Sequence, residues 1–238
     1  MFELLHKQGP FRHRNVRLYT WFTVLYNARA YYPVFAILFL DLGLSMQQFV
    51  LLNVFWAVSI FLLEVPSGAL ADVLGRRKLI VTAAILMVLE MLLLLLAPKD
   101  GGWLLFAMCA ANRILSGASE AAASGADQAL AVDTLAEHDE DGCWDEVLAV
   151  VMKWRSAGFF IAMTIGALLY DSRICSAILP FDIDQSVALR LPIALVFLQS
   201  LGCLVCSLRM REPAGHQPPE ECRDDSTREQ LRCATVNT

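Results

Sequence analysis

Gly68-Ala69-Leu70-Ala71-Asp72-Val73-Leu74-Gly75-Arg76-Arg77-Lys78 stands between two apolar runs, and its reading decides the fold. Gly75 offers a backbone position suited to a tight turn, because glycine adopts left-handed conformations without steric cost. Gly68, lacking a side chain, predicts close approach of two helices. Asp72 and Arg76 are four residues apart, so they can pair across the turn, and Asp72 is placed to cap the helix that follows. Arg76, Arg77 and Lys78 put three cations into one short loop. A basic turn that only fixes topology would account for the cations. It would leave the spacing of glycine and aspartate unexplained.

Outward from this stretch, six apolar runs span residues 18–40, 46–71, 79–97, 103–132, 147–170 and 190–208. Each is long enough to cross a hydrocarbon core about 30 Å thick. The 238 residues are 57% hydrophobic and 18% charged, with a mean hydropathy of +0.52. Soluble domains are nearer 45–50% apolar and about 25% charged. The excess excludes a soluble globular enzyme and a disordered or collagenous chain. The basic residues form no long patch with interleaved aromatics, so nucleic acid is not an expected partner. The reading is an all-α, polytopic protein of the inner or plasma membrane.

Lys and Arg beside the runs set its orientation. Lys7, Arg12, Arg14, Arg17, Arg76, Arg77, Lys78, Arg209, Arg211, Arg223, Arg228 and Arg232 fall on one side. The opposite loops carry only Lys99 and Arg173, with Arg190 at the start of the sixth run. Both termini are therefore expected in the cytoplasm. Residues 1–17 form a polar N-terminal segment, 18–208 the bundle, and 209–238 a charged, proline-bearing tail that reads as a mobile linker. One inner loop runs against the trend: residues 134–146 hold six acidic residues and no Lys or Arg. The seven cysteines show no framework spacing, and Cys203-Leu-Val-Cys206 inside an apolar run reads as small buried residues. No metal or cofactor is expected.

A charge inside a bilayer costs at least about 2.5–3.5 kcal/mol on insertion scales, so each such residue calls for a reason. Arg113, Ser116, Gly117, Glu120, Ser124, Asp127 and Ala131 recur at helical intervals, predicting one continuous polar face. From Arg113 to Asp127 that face runs about 21 Å. It serves close helix packing, or a polar pathway as well. In the first run Phe22, Tyr26, Arg29 and Pro33 share a second face. Arg29 is placed either to meet an anionic substrate group or to form a structural ion pair, with Glu64 and Glu90 as possible partners. The candidate pathway residues are Tyr26, Arg29, Glu90, Arg113, Glu120 and Asp127, and Arg113 with Glu120 is the pair first expected to couple a proton.

Here the residues reach a resemblance. Gly68, Leu70, Ala71, Asp72, Gly75, Arg76 and Arg77 are in register with the G-x-L-A-D-x-x-G-R-[RK]-x loop of the major facilitator superfamily, with Val73 where the family often carries a basic residue. Arg113-Ile-Leu-Ser-Gly117 resembles the family's R-x-x-x-G on its fourth helix. Ser124-Gly-Ala-Asp127-Gln-Ala-Leu-Ala-Val-Asp133 is similar to bacterial efflux-like members. The fifth run has Gly158 and Gly166 but lacks the proline of the drug–proton antiporter G-x-x-x-G-P-x-x-G-G, which speaks against that subclass.

The resemblance implies the N-terminal six-helix half of a secondary transporter, a 3+3 inverted repeat that moves a small solute, and a proton, by alternating access. It also implies a cytoplasmic latch of Gly68, Asp72, Gly75, Arg76, Arg77 and Asp133, and no enzymatic activity. Six runs rather than twelve leave two expectations open: a fragment awaiting its C-terminal half, or a half that pairs with a second copy. The alternative from another class is a non-transporting membrane scaffold or assembly subunit.

Overall fold

The computed structural model describes residues 9–99, 101–178 and 184–213, and among them there is no strand. The helices are α1 (Arg14–Asn27), α2 (Phe35–Asp41), α3 (Met46–Leu74), α4 (Arg76–Leu96), α5 (Trp103–Ala123), α6 (Ala126–Ala136), α7 (Trp144–Tyr170), α8 (Ser172–Ile178), α9 (Gln185–Ala188) and α10 (Leu191–Arg209). Local chemistry sets their ends. Ser45 and Gln48 form a reciprocal capping box at the start of α3. Gly75, at φ +96°, separates α3 from α4 with a backbone that side-chain-bearing residues avoid. Arg190 donates to the carbonyls of Leu95 and Ala97 at 2.9 and 3.0 Å, closing the C-terminus of α4.

Among the described residues, four helical stretches are long and apolar enough to cross a membrane: Met46–Leu74, Arg76–Leu96, Asp141–Tyr170 and Gln185–Arg209. The first and fourth expected runs are interrupted. The first leaves the helix at Ala28 and regains it only beyond Pro33, which has no N–H to continue the ladder. The fourth breaks where Gly125 turns left-handed, at φ +75°. The helix expected to run unbroken from Arg113 to Ala131 is therefore two helices joined at Gly125.

The packing pattern is itself repetitive. Taking α1–α2 and α5–α6 as single broken spans, the six spans follow in chain order. The fourth packs on the second and third, and the first packs on the fifth and sixth. The third and sixth pack on each other across the middle. Exchanging spans one to three with spans four to six leaves this pattern unchanged. The two broken spans occupy equivalent places in it.

Contacts also gather at two ends. One end joins residues 12–15, 76–77, 133–140 and 211–212. The other joins Asp41 to Tyr170, and Gly101 to the Gly43 carbonyl. Between the ends, the outer surface is apolar: Phe61, Val65, Trp103 and Phe160 are 72–81% exposed. Such a surface suits lipid rather than water. The chain is a multi-pass, all-helical membrane protein.

Candidate functional site

The interruption in the first span and that in the fourth face each other. Between them lies a cavity of about 500 Å³, to which Tyr26, Arg29 and Tyr32 contribute from one break and Ser124, Gly125 and Asp127 from the other. Glu64 and Glu120 also line it. Neighbouring helices come close around it because glycines permit it. A Cβ at Gly117 would stand 2.7 Å from the Trp56 carbonyl oxygen, and one at Gly166 would stand 1.7 Å from that of Ala30. At Gly68, where a close approach is expected, nothing among the described residues lies within 4 Å of a Cβ. Small residues admit the backbone contacts at Gly117 and Gly166 instead.

Arg29 Nη1 binds Glu90 Oε1, and both side chains are buried, at 3% and 0% exposure. Of its two possible partners, Glu90 is the one engaged. The Arg29 guanidinium also sits 5.3 Å from the Tyr26 ring centre. Ser119 donates to the Ala83 carbonyl at 2.8 Å, so Tyr26 is the donor in its 2.7 Å bond to Ser119. Asn112, fully buried, donates to the Glu90 carbonyl at 2.7 Å. Neither Ser119 nor Asn112 stands out in the sequence, because their partners are backbone carbonyls of α4.

Glu120 lines the cavity from α5. Asp127 lies in the first turn of α6, where its carboxylate accepts from the Gln128 N–H at 2.7 Å and from the Thr23 hydroxyl at 3.4 Å. A helix N-terminus suits a carboxylate. Arg113 packs against the aromatic rings of α2. Its guanidinium lies 5.0 and 5.8 Å from the ring centres of Phe35 and Phe39, and its Nε donates to Asn112 Oδ1. It lines a second cavity of about 460 Å³ with Phe35, Asn53 and Trp56. Among the described residues Arg113 forms no ion pair.

The basic end carries a second network. Arg76 pairs with Asp133 and donates to the Ala129 carbonyl at 2.7 Å, tying the start of α4 to α6. The first turn of α4 is capped from a distance by Glu212. The Glu212 carboxylate accepts from the N–H groups of Arg76 and Arg77 at 2.8 and 2.9 Å. Arg77 donates to the Leu208 carbonyl at 3.0 Å. Asn15 exchanges hydrogen bonds with Arg211 and donates to Thr134. Residues 209–213 are therefore docked, whereas the rest of the expected mobile tail lies outside the described residues. The acidic loop also finds its partners: Glu140 binds Arg12 and accepts from His13 Nε2 at 2.8 Å. The His13 hydrogen bond, reinforced by the Arg12 charge, holds the Glu140 carboxyl below its ordinary range.

Cys203 and Cys206 are free thiols within α10. A search of the curated proteins found no match. Residues 20–221 match the family model described as Major Facilitator Superfamily, and the chain belongs to that superfamily.

Proposed function

We propose that the chain is the six-span N-terminal half of a secondary transporter that carries a small solute by alternating access. Members of the superfamily are generally membrane transporters rather than enzymes, and the chain is a multi-pass membrane protein of that family. One observation carries the finer reading. Two spans that are equivalent in the packing pattern are both interrupted at the same cavity. Irregular backbone inside a bilayer is tolerated where it lines a cavity, and in repeat-built transporters such half-helix ends form the solute site.

In this reading Tyr26, Arg29, Glu120 and Asp127 surround the solute, with Glu90 holding Arg29 in place. Arg113 acts from the adjoining cavity. Gly68, Asp72, Gly75, Arg76, Arg77 and Asp133 form the latch at the basic end. The excess of Lys and Arg supports a cytoplasmic position for that end and for both termini, in the plasma or inner membrane. The functional unit combines this bundle with a C-terminal half or a second copy, and proton movement drives the solute, including in an efflux direction.

The test is flux. Proteoliposomes holding the chain in its crosslink-defined assembly are loaded with a pH-sensitive dye and challenged with small organic solutes. Solute-dependent proton movement in wild type, with an altered pH dependence in Glu120→Gln, is the expected result. Identical pH dependence in the two removes Glu120 from coupling. A function that survives replacement of Asp72, Arg113 and Glu120 favours the scaffold alternative.

A further inference from the structure

The walls of the cavity are unbalanced in charge. Among the described residues, three carboxyl side chains line it, Glu64, Glu120 and Asp127, against one cation, Arg29. Arg29 is already matched, since its Nη1 is bound to Glu90, which lies behind the lining. That pair sums to zero and leaves the carboxylates to set the sign. Two further arginines are near, and neither lines the space: Arg113 faces the other cavity, and Arg155 acts on Asp127 from an exposed position on α7.

Two independent features describe what would fit there. Arg29 lines the cavity with a side chain 97% buried, and its Nη2 has no hydrogen-bond partner among the described residues, a donor that an acceptor reaching it would satisfy. Tyr26, Tyr32 and Phe159 supply aromatic surface to the same space, and such faces attract cations. An inorganic cation would leave most of about 500 Å³ unfilled and Nη2 unsatisfied. An anion would face three carboxyl groups.

We infer that the cavity takes an organic cation bearing an oxygen acceptor. Its ammonium group sits between Glu120 and Asp127 against the tyrosine rings, and its ester, carbonyl or hydroxyl oxygen accepts from Arg29 Nη2. The inference rests on the transporter reading of this cavity and names the solute class.

Equilibrium binding to the chain in a non-ionic detergent tests it with three probes. Benzoylcholine carries the charge and an ester; 3,3-dimethylbutyl benzoate is its uncharged isostere; trimethyl(4-phenylbutyl)ammonium keeps the charge and ring without the oxygens. Benzoylcholine is expected to bind at least about tenfold more tightly than the neutral ester, as for one well-placed charge contact. It should also bind severalfold more tightly than the oxygen-free cation. Glu120→Gln with Asp127→Asn should abolish the charge preference, with monodisperse elution showing that the variant is folded.

Equal binding of the neutral ester, equal binding of the oxygen-free cation, a preference that survives the double variant, or no binding of any probe overturns the inference. The three-probe order in wild type decides by itself if the double variant does not fold. Probes bound in the expected order without flux would count against transport alone. Flux with the opposite charge preference would count against this inference alone.

Discussion

Removing one partner of the Arg29–Glu90 pair tests the polar core of the bundle. Both side chains are buried, at 3% and 0% exposure, and the only bond between their charges is Nη1 to Oε1. Two unit charges about 4 Å apart interact by about 4 kcal/mol at an effective dielectric near 20. Stripping one charge from a buried pair costs about 3–5 kcal/mol, because the other is left without compensation. Glu90→Gln and Arg29→Met should each lower stability by that amount. At roughly 2–4 °C per kcal/mol for a chain of this size, Tm should fall by about 6–20 °C. The double variant Arg29→Met/Glu90→Met removes both charges and should recover most of the loss. Thermal unfolding in detergent, followed by tryptophan fluorescence, yields the cycle. Additive losses in the double variant would refute the reasoning, since they would mean that the two charges do not stabilise one another.

Three further perturbations read other parts of the structure. Gly166→Ala would set a Cβ 1.7 Å from the Ala30 carbonyl oxygen, so the backbone must move, at a cost of about 3 kcal/mol or more, whereas Gly68→Ala meets nothing and should gain up to about 1 kcal/mol of helix propensity; opposite shifts in Tm are the check. Glu212→Ala removes the carboxylate from the first turn of α4 and should cost about 1 kcal/mol, seen as faster amide exchange at residues 76–79. Because the folded-state pKa of Glu140 lies below its ordinary 4.5, its contribution is fully present above about that value and is lost as pH falls through the lower folded value. Glu140→Gln should therefore flatten the acid limb of a stability-against-pH curve and leave its slope near neutrality unchanged.

Much of the bundle was legible because the bilayer imposes length and charge rules on single segments. The start of α3 at Ser45, the turn at Gly75 and the sidedness of the cations are local features. The broken spans were harder. Gly125 follows a row of small residues, and the Ser124-Gly125 dipeptide was its only punctuation, outweighed by an apparently unbroken helical period. The Glu212 cap of α4 comes from 136 residues away from Arg76, so no reading of nearby spacing could have found it. Asn112 and Ser119 matter through backbone carbonyls on a neighbouring helix, which a list of side chains cannot reveal. For Arg29 two carboxylates were plausible, and only packing separated Glu90 from Glu64. The acidic loop ceased to be an anomaly once the N-terminal arginine and histidine were seen against Glu140.

The outward face of α3 changes how tolerance to mutation should be distributed. Among the described residues, only 6% of its most apolar window is buried, and Phe61 and Val65 project almost fully. In lipid, such side chains have no water to escape, so exchanging Phe61 for leucine or Val65 for isoleucine alters little. A map of permitted substitutions should therefore be inverted relative to that of a water-soluble bundle. Its large apolar residues would be interchangeable, and its invariant positions would be the smallest and most polar ones, where a single methyl group or a single missing charge has no place to go.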